Sequence, residues 1–232
     1  MKIISNFYDG KFIKSESTDK LSLFKPTTGE EYAHIPITTD KEFQSIIDKM
    51  KIAQASWANT PITKRSSILF KFKNLIEKNF DDIARIISEE HGKVFSDAKG
   101  SLQRGLEVVD FACGIPHLLK GNHSINVGTN VDSFDIKQPL GLCAGITPFN
   151  FPAMVPMWMF PISIACGNAF MLKPSEKVPQ CSLKLGELLN EAGLPENVLT
   201  IVNGDKSVVD KILQSPDISS VSFVGSTPVA KY

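Results

Sequence analysis

The sequence lacks the features that mark several large classes of protein. Its 232 residues hold four cysteines, and no two of them have CxxC spacing, so neither a metal site nor a disulfide framework is expected. Basic and acidic residues both number 25, which gives a net charge of zero and no electrostatic reason to bind nucleic acid or an anionic membrane. These absences predict a cytoplasmic protein with reduced thiols, no bound metal, no nucleic-acid partner and no membrane partner.

Long apolar runs are missing as well. The longest, residues 149–166, contains Asn150 and three prolines and is short for a membrane span, so it predicts a buried helix. The N-terminus has no signal-peptide apolar core. No GxGxxG motif occurs, so the usual fingerprint of a dinucleotide-binding turn cannot be invoked.

The first 121 residues predict short strands followed by helices. Thr39 and Glu42 have the spacing of a capping box, which starts a helix near Thr39, and Gly92 suits the C-terminal cap of a later helix. Residues 122–137 alternate apolar and polar side chains around a glycine, which predicts an extended hairpin. Such a hairpin cannot bury both faces alone and is expected to lean on another subunit or domain.

From residue 138 onward, predicted strands and helices alternate. This order implies a parallel sheet with right-handed crossovers, and hence a doubly wound α/β fold. Ligands of such sheets bind beyond the carboxyl ends of the strands. The loops at those ends, where we expect the chemistry, are 147–151, 173–178, 203–207 and 225–228.

The first of these loops holds Asn150 between two aromatic residues and two prolines. The amide of a residue held so stiffly is suited to donate a hydrogen bond to a developing oxyanion. The simpler alternative is that Asn150 caps the next helix, and this loop taken alone favours the cap.

Two further loops and one helix contain candidate binding residues. Lys173 and Glu176, three residues apart at a strand end, suit the hydroxyls of a ribose, or they form a solvated turn in which Glu176 faces a helix dipole. Gly225 and Ser226 suit a phosphate, or they form an ordinary strand-to-helix turn capped by Ser226. Arg104, in mid-helix, could bind a carboxylate in bidentate fashion or merely pair with a neighbouring acid.

Taken together, these loops resemble the aldehyde dehydrogenase family, and the resemblance covers the whole chain. The motifs that carry it, in order, are Thr147-Pro148-Phe149-Asn150-Phe151-Pro152, Ala165-Cys166-Gly167-Asn168, Lys173-Pro174-Ser175-Glu176 and Phe223-Val224-Gly225-Ser226. Most members have tryptophan where this chain has Phe149. Phenylalanine there, followed by Met157-Trp158-Met159-Phe160-Pro161, is similar to the CoA-acylating branch of the family that acts on methylmalonate semialdehyde.

The resemblance implies a fold and a set of roles. The fold would be the family's NAD-binding α/β domain over residues 138–232, with residues 1–121 packed on it and residues 122–137 as the oligomerisation ribbon of a homotetramer. Asn150 would be the oxyanion-hole amide, and Arg104 would hold the substrate carboxylate. The residues that would contact NAD are Thr147, Phe149, Lys173, Glu176, Lys177 and Ser226. Of these, the pair Lys173 and Glu176 would hold the adenosine ribose.

The same resemblance implies a covalent mechanism. A cysteine thiolate attacks the aldehyde and hydride passes to NAD, which leaves a thioester. The acyl group of that thioester then passes to CoA, with loss of carbon dioxide and release of the cysteine thiolate. The family's nucleophile would lie beyond Tyr232, so the chain is expected to be the N-terminal half of the enzyme, without its catalytic domain and inactive by itself. Two alternatives stay open: a hydrolysing aldehyde dehydrogenase and an inactive nucleotide-binding fragment.

Overall fold

The computed structural model describes residues 1–231. The strands are β1 Lys2–Ile3, β2 Asn6–Tyr8, β3 Lys11–Ile13, β4 Lys20–Phe24, β5 Glu31–Pro36, β6 His123–Gly128, β7 Val131–Phe134, β8 Leu142–Ile146, β9 Ala169–Lys173, β10 Leu199–Ile201 and β11 Ile218–Phe223. The helices are α1 Asp40–Ala58, α2 Ile62–Lys78, α3 Phe80–His91, α4 Phe95–Cys113, α5 Ile115–Leu118, α6 Met154–Ala165, α7 Pro179–Glu191, α8 Lys206–Gln214 and α9 Thr227–Ala230.

A six-stranded sheet with the order β11-β8-β9-β10-β2-β3 organises the fold. Strands β8 to β11 pair in parallel, so the predicted α/β fold with a parallel sheet is confirmed. Strand β2 joins β10 antiparallel, with Phe7 opposite Ile201. Residues near the N-terminus therefore extend the sheet, which the sequence did not predict because strands of three residues carry little periodic signal.

The sheet is buried on both faces, as strands covered by helices on either side must be. Every residue of β8 and β9 is buried. One hydrophobic cluster contains the large side chains Trp57, Phe72, Phe160 and Phe170. A second contains the residues Ile46, Ile47, Met50, Val208 and Ile212. Successive residues of β9 alternate between the two clusters, which makes the fold doubly wound.

Two helix ends follow directly from local sequence. The predicted capping box of α1 is confirmed, because the Thr39 side chain accepts from the backbone N–H of Glu42 and the Glu42 carboxylate accepts from that of Thr39. Gly92 ends α3 with a left-handed φ of 83°, a conformation that costs glycine little. The next residue, Lys93, contacts the site described below.

The predicted hairpin is also present, as β6 paired antiparallel with β7. Every residue of both strands is exposed. Its exposed apolar side chains include Ile125, Val127, Val131 and Phe134. An apolar ribbon of this kind normally has a partner, and its role in oligomerisation stays a prediction, as does the division of the chain into three regions.

The described residues give no sign of two other kinds of site. None of the helices within residues 1–231 combines the length and the apolar character needed to cross a membrane. In the same part of the chain, no group of three or more histidine, cysteine or acidic side chains is placed to hold a metal ion.

Candidate active site

A cleft of about 870 Å³ opens at the carboxyl ends of β8, β9 and β11. The first two loops start side by side there, because the Thr147 N–H donates to the Lys173 carbonyl over 3.2 Å. The candidate residues that line the cleft are Thr147, Phe149, Lys173, Glu176 and Ser226. Parallel strands bring these separate loops to one edge, as the predicted topology requires.

Lys173 and Glu176 form the charged part of the cleft wall. The Lys173 side chain is only 5% exposed, and its Nζ lies 3.1 Å from Oε2 of Glu176, which is 39% exposed. A buried ammonium next to a half-open carboxylate offers donors and acceptors side by side. This arrangement suits a vicinal diol and differs from a fully solvated turn.

Asn150 lies next to the cleft and is not a helix cap. The N-cap of α6 is Ala153, so the capping alternative is wrong. Among residues 1–231, no side chain or backbone group hydrogen-bonds to the exposed amide of Asn150. That amide is therefore available to a ligand.

Lys93, in the turn between α3 and α4, holds the backbone at Asn150. Lys93 Nζ donates to the Asn150 carbonyl oxygen over 3.0 Å and lies 4.5 Å from the centroid of the Phe151 ring. The Lys93 side chain is 8% exposed, and its Nζ is 3.4 Å from Asp97 Oδ2. A buried lysine thus fixes the peptide that carries the candidate oxyanion donor.

Phe149 stands at the mouth of the cleft between two basic side chains. Its ring is stacked on the His91 imidazole, with centroids 6.2 Å apart and planes at 20°. Lys177 Nζ lies 4.8 Å from the centroid of the same ring and is not in the cleft wall. Burial, followed by the nearby charge of Lys93, lowers the pKa of His91, which favours the neutral imidazole against the ring.

Glu90, one residue before His91, is buried against the start of α7. Its two oxygens accept the backbone N–H groups of Gln180 over 2.8 Å and Cys181 over 3.0 Å. Burial raises the pKa of Glu90 to about 7, although the two backbone N–H groups oppose the shift. The carboxyl therefore caps the helix that follows the loop of Lys173 and Glu176.

Arg104 is exposed on α4 and is not part of the cleft wall. Its neighbour Gly105 packs against Met154 and Met157 in the first turn of α6, so Arg104 borders the helix that follows Asn150. No ion pair joins Arg104 to an acid within residues 1–231. The structure therefore leaves its guanidinium open to solvent and does not show the alternative pairing.

None of the four cysteines has the character of a nucleophile. Burial raises the pKa of every one: Cys113 to about 11, Cys143, Cys166 and, most strongly, Cys181. None of them lines the cleft. Since the thiolate is the reactive form, these thiols are structural.

The sequence did not point to the apolar wall of the cleft. That wall consists of Val209, Leu213, Val221, Phe223, Pro228 and Val229. Leu213 and Val229 are more than half exposed. An apolar residue on the outer side of an amphipathic helix is the kind of sequence signal that could have indicated this wall. An apolar wall beside the Lys173–Glu176 pair suits a ligand that combines an apolar ring with hydroxyl groups.

Comparisons with known proteins indicate the same family as the sequence motifs did. The model of the aldehyde dehydrogenase family matches residues 12–232. Malonate-semialdehyde dehydrogenase of Pseudomonas aeruginosa is 48% identical over 232 residues, which cover 100% of this chain and 46% of that protein. The acylating, mitochondrial methylmalonate-semialdehyde dehydrogenase of Arabidopsis thaliana is 48% identical over 223 residues, 96% of this chain and 37% of that protein.

A solved structure is similar over the same extent. It is a protein from Sinorhizobium meliloti assigned as methylmalonate-semialdehyde dehydrogenase and complexed with NAD, with a TM-score of 0.97 and 47% identity over 100% of this chain and 47% of that one. The chain thus spans about half the length of the two bacterial relatives and 37% of the plant one.

Proposed function

Because the chain belongs to the aldehyde dehydrogenase family, we propose that the complete protein oxidises malonate or methylmalonate semialdehyde with NAD and transfers the acyl group to CoA. The observation that carries this proposal is the pair Lys173 and Glu176 in a cleft with an apolar wall, next to the unoccupied hydrogen-bond donors of the Asn150 amide. The names of the similar proteins support the choice of substrate.

The cleft fits NAD by its shape and its chemistry. Its volume of about 870 Å³ is in the range of small-molecule sites. In our proposal Lys173 and Glu176 hold the adenosine ribose, Thr147 and Phe149 contact the dinucleotide, and Ser226 contacts the pyrophosphate. When bound, NAD supplies the hydride acceptor.

The remaining candidates act on the substrate or at the mouth of the cleft. Asn150 donates its amide N–H to the oxygen that becomes negative when a thiolate adds to the aldehyde. Arg104 pairs with the substrate carboxylate, and Lys177 supports the Phe149 ring through a cation–π contact. The attacking thiolate comes from none of the four cysteines, none of which lines the cleft, so we propose that a part of the protein outside these 232 residues supplies it. The exposed hairpin joins the subunits of a homotetramer.

The proposal is tested by assaying the complete protein with malonate and methylmalonate semialdehyde, with and without CoA. We expect NADH formation that depends on CoA, with acetyl-CoA or propanoyl-CoA as the product identified by mass spectrometry. The 232-residue chain alone should give no NADH. Oxidation that is indifferent to CoA would establish the hydrolysing alternative, and absence of NADH formation by the complete protein would refute the proposal.

Arg104 distinguishes carboxylated from simple aldehydes in the same assay. Loss of a charge-assisted pair is expected to raise KM of Arg104→Ala for malonate semialdehyde by about 10- to 100-fold, with KM for propanal unchanged. Arg85→Ala is the matched control, because Arg85 is an exposed arginine paired with Asp82 on α3. Equal effects on both aldehydes would show that Arg104 acts structurally.

Glu176 is expected to set both the affinity and the choice of coenzyme. Glu176→Gln removes an anionic acceptor for ribose hydroxyls, so the Kd for NAD, measured by calorimetry, should rise by about tenfold. Binding of NADP should improve at the same time, because a carboxylate beside the ribose repels a 2′-phosphate. Glu187→Gln on α7, whose exposed carboxylate pairs with Lys184, should change neither Kd. An unchanged Kd for NAD in Glu176→Gln would remove this residue from the ribose site.

A further inference from the structure

The turn between α3 and α4 contacts two separate loops of the cleft. On one side, Lys93 Nζ donates to the Asn150 carbonyl over 3.0 Å, and the His91 ring stacks on Phe149. On the other side, Glu90 accepts the N–H groups of Gln180 and Cys181 at the start of α7. That helix directly follows the loop 173–178, which contains the ribose pair.

These contacts are built from buried ionisable groups. Glu90 is 5% exposed and the Lys93 side chain 8%. A buried charge is stable only with well-placed partners, so each group constrains the atoms that it contacts. The partner of Lys93 is the carbonyl of the residue whose side-chain amide we assign to the oxyanion.

We infer that Glu90, His91 and Lys93 form a positioning turn that sets the Asn150 loop and the ribose loop relative to each other. The inference rests on the proposed function. Lys93 orients the peptide of Asn150, and so determines where the Asn150 amide points. Glu90 anchors the first turn of α7, and so determines where the Lys173–Glu176 pair lies. His91 keeps the Phe149 ring at the mouth of the cleft.

The two ends of the turn are therefore expected to affect different measured quantities, kcat and the binding of NAD. The contact of Lys93 is with the loop of the reacting carbonyl, so its loss should affect kcat. The contact of Glu90 is with the helix behind the ribose loop, so its loss should affect the binding of NAD. A turn that merely supports the fold would show no such split, because loss of packing lowers stability, binding and turnover together.

The experiment compares four variants of the complete protein: Lys93→Met, Lys93→Arg, Glu90→Gln and Lys99→Met. Lys99 is the matched control, since it also links α3 to α4, by an ion pair of 2.8 Å with Asp81, but it does not line the cleft. The measurements are kcat, the Kd for NAD by calorimetry, and the thermal unfolding midpoint.

We expect Lys93→Met to lower kcat by about tenfold or more, the effect of one lost charge-assisted hydrogen bond, with the Kd for NAD unchanged. Lys93→Arg keeps the charge and the donors and should recover most of kcat. Glu90→Gln retains one acceptor and places an amide N–H against a backbone N–H, so the Kd for NAD should rise by about fivefold or more. Lys99→Met should match the wild type.

If the wild-type protein binds NAD and oxidises the semialdehyde, either of two results for the variants would overturn the inference. One is that Lys93→Met and Glu90→Gln behave like Lys99→Met. The other is that both lower kcat, affinity and the unfolding midpoint in parallel, which is the behaviour of a structural turn. A wild-type protein that neither binds NAD nor oxidises either semialdehyde would instead refute the proposed function, and the inference with it.

Discussion

Replacement of Asn150 by alanine is expected to lower kcat of the complete protein by about 10²- to 10³-fold, with the Kd for NAD unchanged. The Asn150 side chain makes no hydrogen bond within the described chain, so its removal leaves no protein group unpaired. The whole effect should therefore fall on the step in which the carbonyl oxygen becomes negative. Steady-state kinetics that separate kcat from KM provide the measurement.

Two further variants make the result of Asn150→Ala specific. Asn150→Asp keeps the size of the side chain but replaces the N–H donor by a carboxylate oxygen, and it should be at least as slow as Asn150→Ala. Asn190→Ala removes an exposed amide on α7 that donates a hydrogen bond to the Gly10 carbonyl and does not line the cleft, and it should keep full activity. If Asn150→Ala retained most of kcat, the oxyanion assignment would be wrong.

The largest effect on stability is expected from Phe72→Ala. The Phe72 ring on α2 and the Phe160 ring on α6 are both fully buried, with centroids 5.9 Å apart. Deletion of such a ring loses its burial and leaves a cavity between two helices, which should lower the free energy of unfolding by about 3–5 kcal/mol. Denaturant unfolding followed by circular dichroism gives this free energy.

Phe70→Ala is the matched control, because Phe70 lies on the same helix and is 51% exposed. Its loss should change the free energy of unfolding by less than about 0.5 kcal/mol, as at other surface positions. Similar losses for Phe70→Ala and Phe72→Ala would mean that α2 is not packed on α6 as described.

Local patterns predicted the secondary structure well where one residue type fixes a boundary. The capping box at Thr39 and the left-handed turn at Gly92 were confirmed. The alternative that Asn150 caps α6 was wrong, because Ala153 is the N-cap and the helix begins at Met154. The loop of Asn150 is held by Lys93 from the turn between α3 and α4, and no local signal in residues 147–153 records that contact.

The family resemblance inferred from four short motifs was confirmed. Each motif alone was ambiguous. Their order and spacing along the chain made them specific together, and three of them follow parallel strands, which deliver their loops to one edge of a sheet. The structure brings Thr147, Lys173, Glu176 and Ser226 to one cleft, whereas the roles of these residues stay predictions until the variants above are measured.

The sequence by itself determined the alternation of strands and helices, the ends of α1 and α3, and which loops meet at the cleft. These properties depend on neighbours a few residues apart, or on the fixed direction of parallel strands. Only the tertiary structure decided that Lys93 holds the Asn150 carbonyl, that Glu90 caps α7, that β2 extends the sheet beside β10, and that α8, β11 and α9 together supply the apolar wall. The physical reason is that each of these contacts joins residues far apart in the chain, whose pairing is fixed by the packing of whole elements and leaves no period or motif in the sequence.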